Sequence, residues 1–78
     1  MNSNYFQTYD LGLASALIAI DYELMGMDKS NPKKVAFSFE KNSVLERSVN
    51  EYWHGHLLID ARTLFETQKM LKNRIYSD

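Results

Sequence analysis

Residues 21–40, DYELMGMDKSNPKKVAFSFE, decide the fold, because they hold the clearest hairpin in a chain that otherwise reads as helix. In the second half of the stretch Val35, Phe37 and Phe39 alternate with Ala36, Ser38 and Glu40. That period of two belongs to a strand with one face toward a core and one toward water. Upstream, Tyr22, Leu24 and Gly26 alternate with Glu23, Met25 and Met27, so both faces carry apolar surface and the two methionines share the face opposite Leu24. Between the strands Asp28, Lys29, Ser30, Asn31 and Pro32 form a cluster of turn residues, in which Pro32 presets its own φ and pushes Asn31 away from helical angles. The cluster predicts a loop of roughly five or six residues, with Lys33 and Lys34 on its descending edge, in place of a tight two-residue turn.

Before the hairpin, Thr8 or Asp10 offers a side-chain oxygen for the start of a helix running to about Ile20. Leu13, Leu17 and Ile20 form one apolar row, Leu11, Ala14 and Ile18 a second, and no charge interrupts the stretch, so this helix is expected to be the most buried. After the hairpin, Ser43 followed by Glu46 has the spacing of a capping box. A helix from there buries Leu45, Val49, Tyr52 and Trp53 and stops near Gly55. Residues 56–59, HLLI, fit either a short strand or an extended connector, and extended structure is the reading taken. Asp60 caps a last helix in which Ala61, Leu64, Phe65, Gln68, Leu71 and Ile75 trace one face, with acids toward its start and Lys69, Lys72 and Arg74 toward its end, as the helix dipole favours. The expected architecture is α+β over a single domain, 1–78: an antiparallel β-hairpin packed with three helices in the order α-β-β-α-α. Short extra strands near residues 5–8 and 56–59 are compatible with the pattern.

A chain of 78 residues buries only about 60–65 % of its unfolded surface, so its core must be efficient, and 13 % aromatic residues help. It has no cysteine, which excludes a disulfide scaffold and thiolate metal sites and suits a reducing, cytoplasmic location. The apolar run around residues 13–20 is shorter than the roughly 20 residues of a membrane span, and its acidic flank does not fit a signal peptide. Net charge is −1, yet residues 1–28 hold four acids and no base, whereas residues 29–41 hold four lysines and one glutamate. That is not the composition of a uniformly basic nucleic-acid binder.

The opening TYDLGLASAL at 8–17, the strand VAFSFE, the segment YWHG at 52–55 and the tail IDARTLFETQKMLKNRIYS resemble a family of small uncharacterised proteins of bacteria and their phages, a domain of unknown function of about this chain's length. The resemblance spans nearly the whole chain. It implies a phage or mobile-element setting and brings no catalytic residues with it.

The richest local cluster is Tyr52, Trp53, His54, Gly55 and His56. Two imidazoles supply two metal ligands where zinc needs three or four, so a structural role at the helix end is preferred and no cofactor or metal is expected. The serines have plain roles: Ser15 packs, Ser30 turns, Ser38 faces outward and Ser43 caps. The three glycines stand alone, so there is no phosphate loop. An enzyme is therefore not expected. The favoured expectation is a binding protein that meets a protein partner, or a second copy of itself, through Met25, Met27, Trp53, His54 and His56. The alternative is an accessory nucleic-acid binder using Lys33 and Lys34 on the hairpin loop and Lys69, Lys72 and Arg74 at the helix end. Phe37 and Phe39 are assigned to the core because they share the face that a helix covers.

Overall fold

The computed structural model describes residues 4–31 and 33–77. The strands are β1 (Tyr5–Thr8), β2 (Leu24–Asn31) and β3 (Lys34–Glu40), and the helices are α1 (Leu11–Ala19), α2 (Ser43–Trp53) and α3 (Ala61–Tyr76), in the order β-α-β-β-α-α. The class is α+β, as the residue pattern implies. The three strands form one antiparallel sheet in the order β1-β3-β2. Because both neighbours run antiparallel to β3, β1 and β2 point the same way with β3 inserted between them, and α1 is the crossover that joins them.

The alternation in β3 fixes which side the helices cover. Phe37 and Phe39 are buried together with Leu13 and Leu17 of α1, Leu45 of α2 and Leu71 of α3. On the opposite face Gln7 Nε2 donates to Ser38 Oγ at 3.1 Å across an exposed β1–β3 pair. Residues 13–17 of α1 are all buried, as a helix without charge must be. Ser15 is the polar member of that run, and its hydroxyl donates to the Leu11 carbonyl at 2.8 Å, so burial leaves no unmet hydrogen bond. The molecule is flattened, 18 Å through its thinnest direction.

The helix ends explain the boundaries. Asp10 caps α1 by accepting from the Leu13 N–H at 3.1 Å, while the Thr8 hydroxyl accepts from the Asp10 N–H, so both candidate residues take part. Asp60 caps α3, accepting from the backbone and the hydroxyl of Thr63, and these two donors hold its carboxyl below the usual value. The α2 cap differs from the expected one: Asn42, not Ser43, accepts from the Leu45 N–H at 2.9 Å, and Ser43 is the first helical residue.

The C-termini of α1 and α2 close with the same hydrogen bonds. Tyr22 N–H donates to the Leu17 carbonyl and Asp21 N–H to that of Ile18; His56 N–H donates to Glu51 and Gly55 N–H to Tyr52. Both are Schellman closures, which demand a left-handed residue just past the helix. Gly55 supplies it at φ 75° and Asp21 at φ 80°.

The hairpin is tighter than expected. Asn31 pairs with Lys34, so the strands close across positions 32 and 33 and no five- or six-residue loop exists; Pro32 itself lies outside the described residues. The turn-forming side chains act inside the ladder instead. Asp28 Oδ1 accepts from the Ser30 N–H at 2.9 Å and Asn31 Oδ1 from the Lys33 N–H at 2.9 Å, accommodating an irregularity in register between Asp28 and Asn31. The short strand at 5–8 is present, with the Lys41 N–H on the Asn4 carbonyl continuing its pairing. Residues 56–59 are an unpaired connector, not a strand, with Leu58 exposed. No helix among the described residues is long and apolar enough to cross a membrane.

Candidate functional site

Three surface regions hold the candidate residues. The first is the YWHGH corner. Tyr52 turns inward, its hydroxyl against Gly12 of α1, where an added Cβ would sit 2.8 Å away. Burial, and then the Asp10 carboxylate, push its phenol above the usual range. Trp53 meets Tyr52 edge to face at 5.1 Å but remains 59 % exposed, so it lies outside the buried stripe to which its spacing assigned it. Ser48 takes that inner place, its hydroxyl within 3.1 Å of that of Tyr22. His54 Nδ1 lies 2.7 Å from the Asn50 carbonyl, a bond that the Nδ1–H tautomer donates, and its ring stacks on that of His56 at 6.2 Å. Beside them runs an open groove of about 410 Å³ walled by Glu46, Arg47, Asn50 and Glu51. Among the described residues no three His, Asp or Glu side chains are grouped to hold a metal ion.

The second region surrounds Met25. The register steps from Leu24↔Phe39 to Gly26↔Ser38, leaving Met25 as the extra residue of a bulge. Bulges re-aim side chains. Met25 is 48 % exposed, whereas Met27, opposite Phe37, packs against the core. The two methionines therefore do not share a face, and Met27 belongs to the core, because the bulge breaks the alternation between them. The cleft beside Met25, about 110 Å³, is lined by Asp21, Glu23 and Glu40, with Phe39 and Leu45 beneath, and no basic residue among those described lines it.

The third region lies at the other end of the hairpin. Tyr9 from the β1–α1 link, Lys33 and Lys34 from the hairpin tip and Tyr76 from the end of α3 enclose a groove of about 220 Å³. Its floor is Leu11, Val35, Phe37 and Ile75. Lys34 Nζ sits 5.5 Å over the Tyr9 ring, and no acid among the described residues lines this groove. Nothing in the linear pattern signals it, because its walls come from positions 9, 33–34 and 76.

The remaining candidate bases do not converge. Lys69, Lys72 and Arg74 are all exposed on α3, but at about 100° per residue Lys72 and Arg74 project to nearly opposite sides of the helix and Lys69 points away from the core. Lys29, grouped with the loop lysines in the linear sequence, is engaged: its ammonium donates to the carbonyls of Arg74 at 3.0 Å and Ser77 at 2.8 Å. Phe65, placed on the buried face of α3 by its spacing, is 69 % exposed, and the inner row is Leu64, Gln68, Leu71 and Ile75. No curated protein and no solved structure matches the chain. The model of DUF5659, a domain of unknown function, matches residues 3–77, and the chain belongs to that family.

Proposed function

We propose that this chain is a non-enzymatic binding protein of the bacterial or phage cytoplasm that works through contact with a protein, either a partner or a second copy of itself. One observation carries the reading: nine large apolar side chains stay exposed among the described residues, among them Trp53, Leu58, Phe65 and Tyr76, against a buried apolar set of nine that includes three alanines. A fold this small that leaves these side chains in water offers apolar surface on which association can draw. Several groups that could do chemistry are meanwhile occupied in structure, Asp10, Asn42 and Asp60 as caps and Ser15 and Ser48 in internal hydrogen bonds. The cysteine-free composition suits a reducing compartment. Affinity capture from the native host, run beside light scattering up to the millimolar range, tests the proposal. A chain that captures nothing and stays monomeric sinks it.

A second reading, accessory binding of nucleic acid, has support from Lys33 and Lys34, which stand beside Tyr9 and Tyr76 at one pole. A mobility-shift assay at low salt decides it, since phosphate contacts must show there first. No retardation, or retardation unchanged by Lys33→Glu with Lys34→Glu, removes this reading.

A further inference from the structure

We infer that the chain assembles head to tail, Met25 of one copy entering the Lys33/Lys34 groove of the next. This rests on the protein-binding reading above and names the partner as a second copy. The groove holds about 220 Å³, below the roughly 300 Å³ at which pockets take whole small molecules, so it suits a single anchoring side chain. Its floor of Leu11, Val35, Phe37 and Ile75 presents apolar side chains. A nucleobase edge placed there would lose water and gain no hydrogen bond from them, whereas a thioether loses nothing. One face of Tyr9 is already covered by Lys34, which leaves a single face of that ring for any stacking partner.

The rim selects the occupant's surroundings. Among the described residues the one ion pair is Arg62–Glu66, so Lys33 and Lys34 have no carboxylate partner among them. The complementary surface exists on the same molecule: a bulge presents Met25, and Asp21, Glu23 and Glu40 line the cleft beside it, likewise without basic partners among the described residues. Apolar anchor and acidic rim match apolar groove and basic rim in both respects. The two sites lie at opposite ends of β2, roughly 20 Å apart at about 3.3 Å per residue, so one molecule cannot fill its own groove. A knob and a hole at separate places make a heterologous contact, which propagates into rings or filaments and does not stop at a two-fold dimer. Symmetric pairing through the outer edge of β2 is disfavoured by the two register irregularities that interrupt that strand.

Sedimentation velocity at low and high salt tests the assembly, with circular dichroism verifying the fold of each variant. The wild type is expected to form species larger than a dimer that salt dissociates. Lys33→Glu with Lys34→Glu spoils only the groove, and Glu23→Gln with Met25→Ser spoils only the knob; each alone should weaken association by about tenfold or more. Mixed, they should form a one-to-one complex that grows no further, because one good knob meets one good groove. A strictly monomeric wild type, association that survives both pairs of substitutions, or a mixture that does not pair overturns the inference. Titration of the monomer with a single-stranded oligonucleotide, or with an acidic peptide carrying one methionine, is the remaining arm; tight binding without self-assembly would assign the groove to that ligand instead. If host proteins are still captured while the charge variants change nothing, this inference falls and the broader binding reading stands.

Discussion

Lys29 on β2 reaches across the molecule to Ser77, its ammonium donating to that carbonyl at 2.8 Å and to the Arg74 carbonyl at 3.0 Å. The last carbonyls of a helix have no partner within it and carry the negative end of its dipole, so a strand lysine here completes α3 and ties it to the sheet edge. Lys29→Met keeps the aliphatic stem and removes the charge. Stability should fall by about half a kcal/mol, the usual worth of an exposed charge at a helix end, and the loss should shrink in high salt. Amide exchange at 74–77 should speed up while that of β3 stays unchanged; unchanged exchange at the helix end would refute the capping role.

Asp21 carries out a task that Gly55 performs at the end of the next helix. Both sit left-handed in the same hydrogen-bonded closure, at φ 80° and φ 75°. Asp tolerates that region better than most residues, yet its Cβ still costs free energy that glycine avoids. Asp21→Gly should therefore stabilise the protein by up to about 1 kcal/mol, offset in part by the greater freedom glycine gives the unfolded chain. Asp21→Val, branched at Cβ, should destabilise it by more than that. Urea midpoints order the three proteins, and a glycine variant less stable than the wild type would contradict the assignment.

Asn42 and Ser43 separate two caps that differ by one residue. The Asn42 side chain takes the Leu45 N–H at 2.9 Å, so Asn42→Ala should cost about 1 kcal/mol, and Ser43→Ala, at the first helical position, should change stability by only a few tenths. Thermal unfolding of the two single variants distinguishes them. The reverse order would restore the Ser43 capping box.

These adjacent caps illustrate what is legible in this sequence. Phe37 and Phe39 alternate without interruption in the central strand, so their burial and the α+β class follow from period alone, and Gly55 and Asp60 mark a helix stop and a helix start with residue types that do little else in such places. Where two residues can serve one purpose the pattern is ambiguous, as with Asn42 and Ser43. Where a residue does another's work it is silent: Asp21 supplies a left-handed turn without being glycine, and Asp28 and Asn31 spend their turn-forming side chains on a bulged ladder, which made a tight hairpin look like a long loop. Trp53 and Phe65 lie at the border of their stripes, where a small rotation of the helix decides between core and water. The groove of Tyr9, Lys33, Lys34 and Tyr76 depends on three distant segments meeting, and no local period encodes that.

Gly12 and Tyr52 join α1 to α2 through a contact that leaves no room for a methyl group. An added Cβ at Gly12 would lie 2.8 Å from the Tyr52 hydroxyl and 3.2 Å from Asp10 Oδ1. Alanine normally improves a helical position by up to about 1 kcal/mol over glycine, but here it must displace a half-buried ring. Gly12→Ala should lose about 1 kcal/mol or more in the wild type and markedly less in a Tyr52→Phe background, where the nearer oxygen is gone and only Asp10 Oδ1 must give way. The difference between backgrounds, about 1–2 kcal/mol, is a coupling of the size expected for residues in contact. The same phenol sets an alkaline limit. Its pKa is raised above the usual 10.0 by burial first and Asp10 second, so above pH 10 the unfolded chain releases this proton while the folded protein holds it. Stability from this group is whole below pH 10 and is lost as pH climbs through the folded value. Denaturation followed from pH 8 to 11 should show that decline in the wild type and a shallower one in Tyr52→Phe. Parallel slopes in the two proteins would mean that Tyr52 titrates as freely in the fold as outside it.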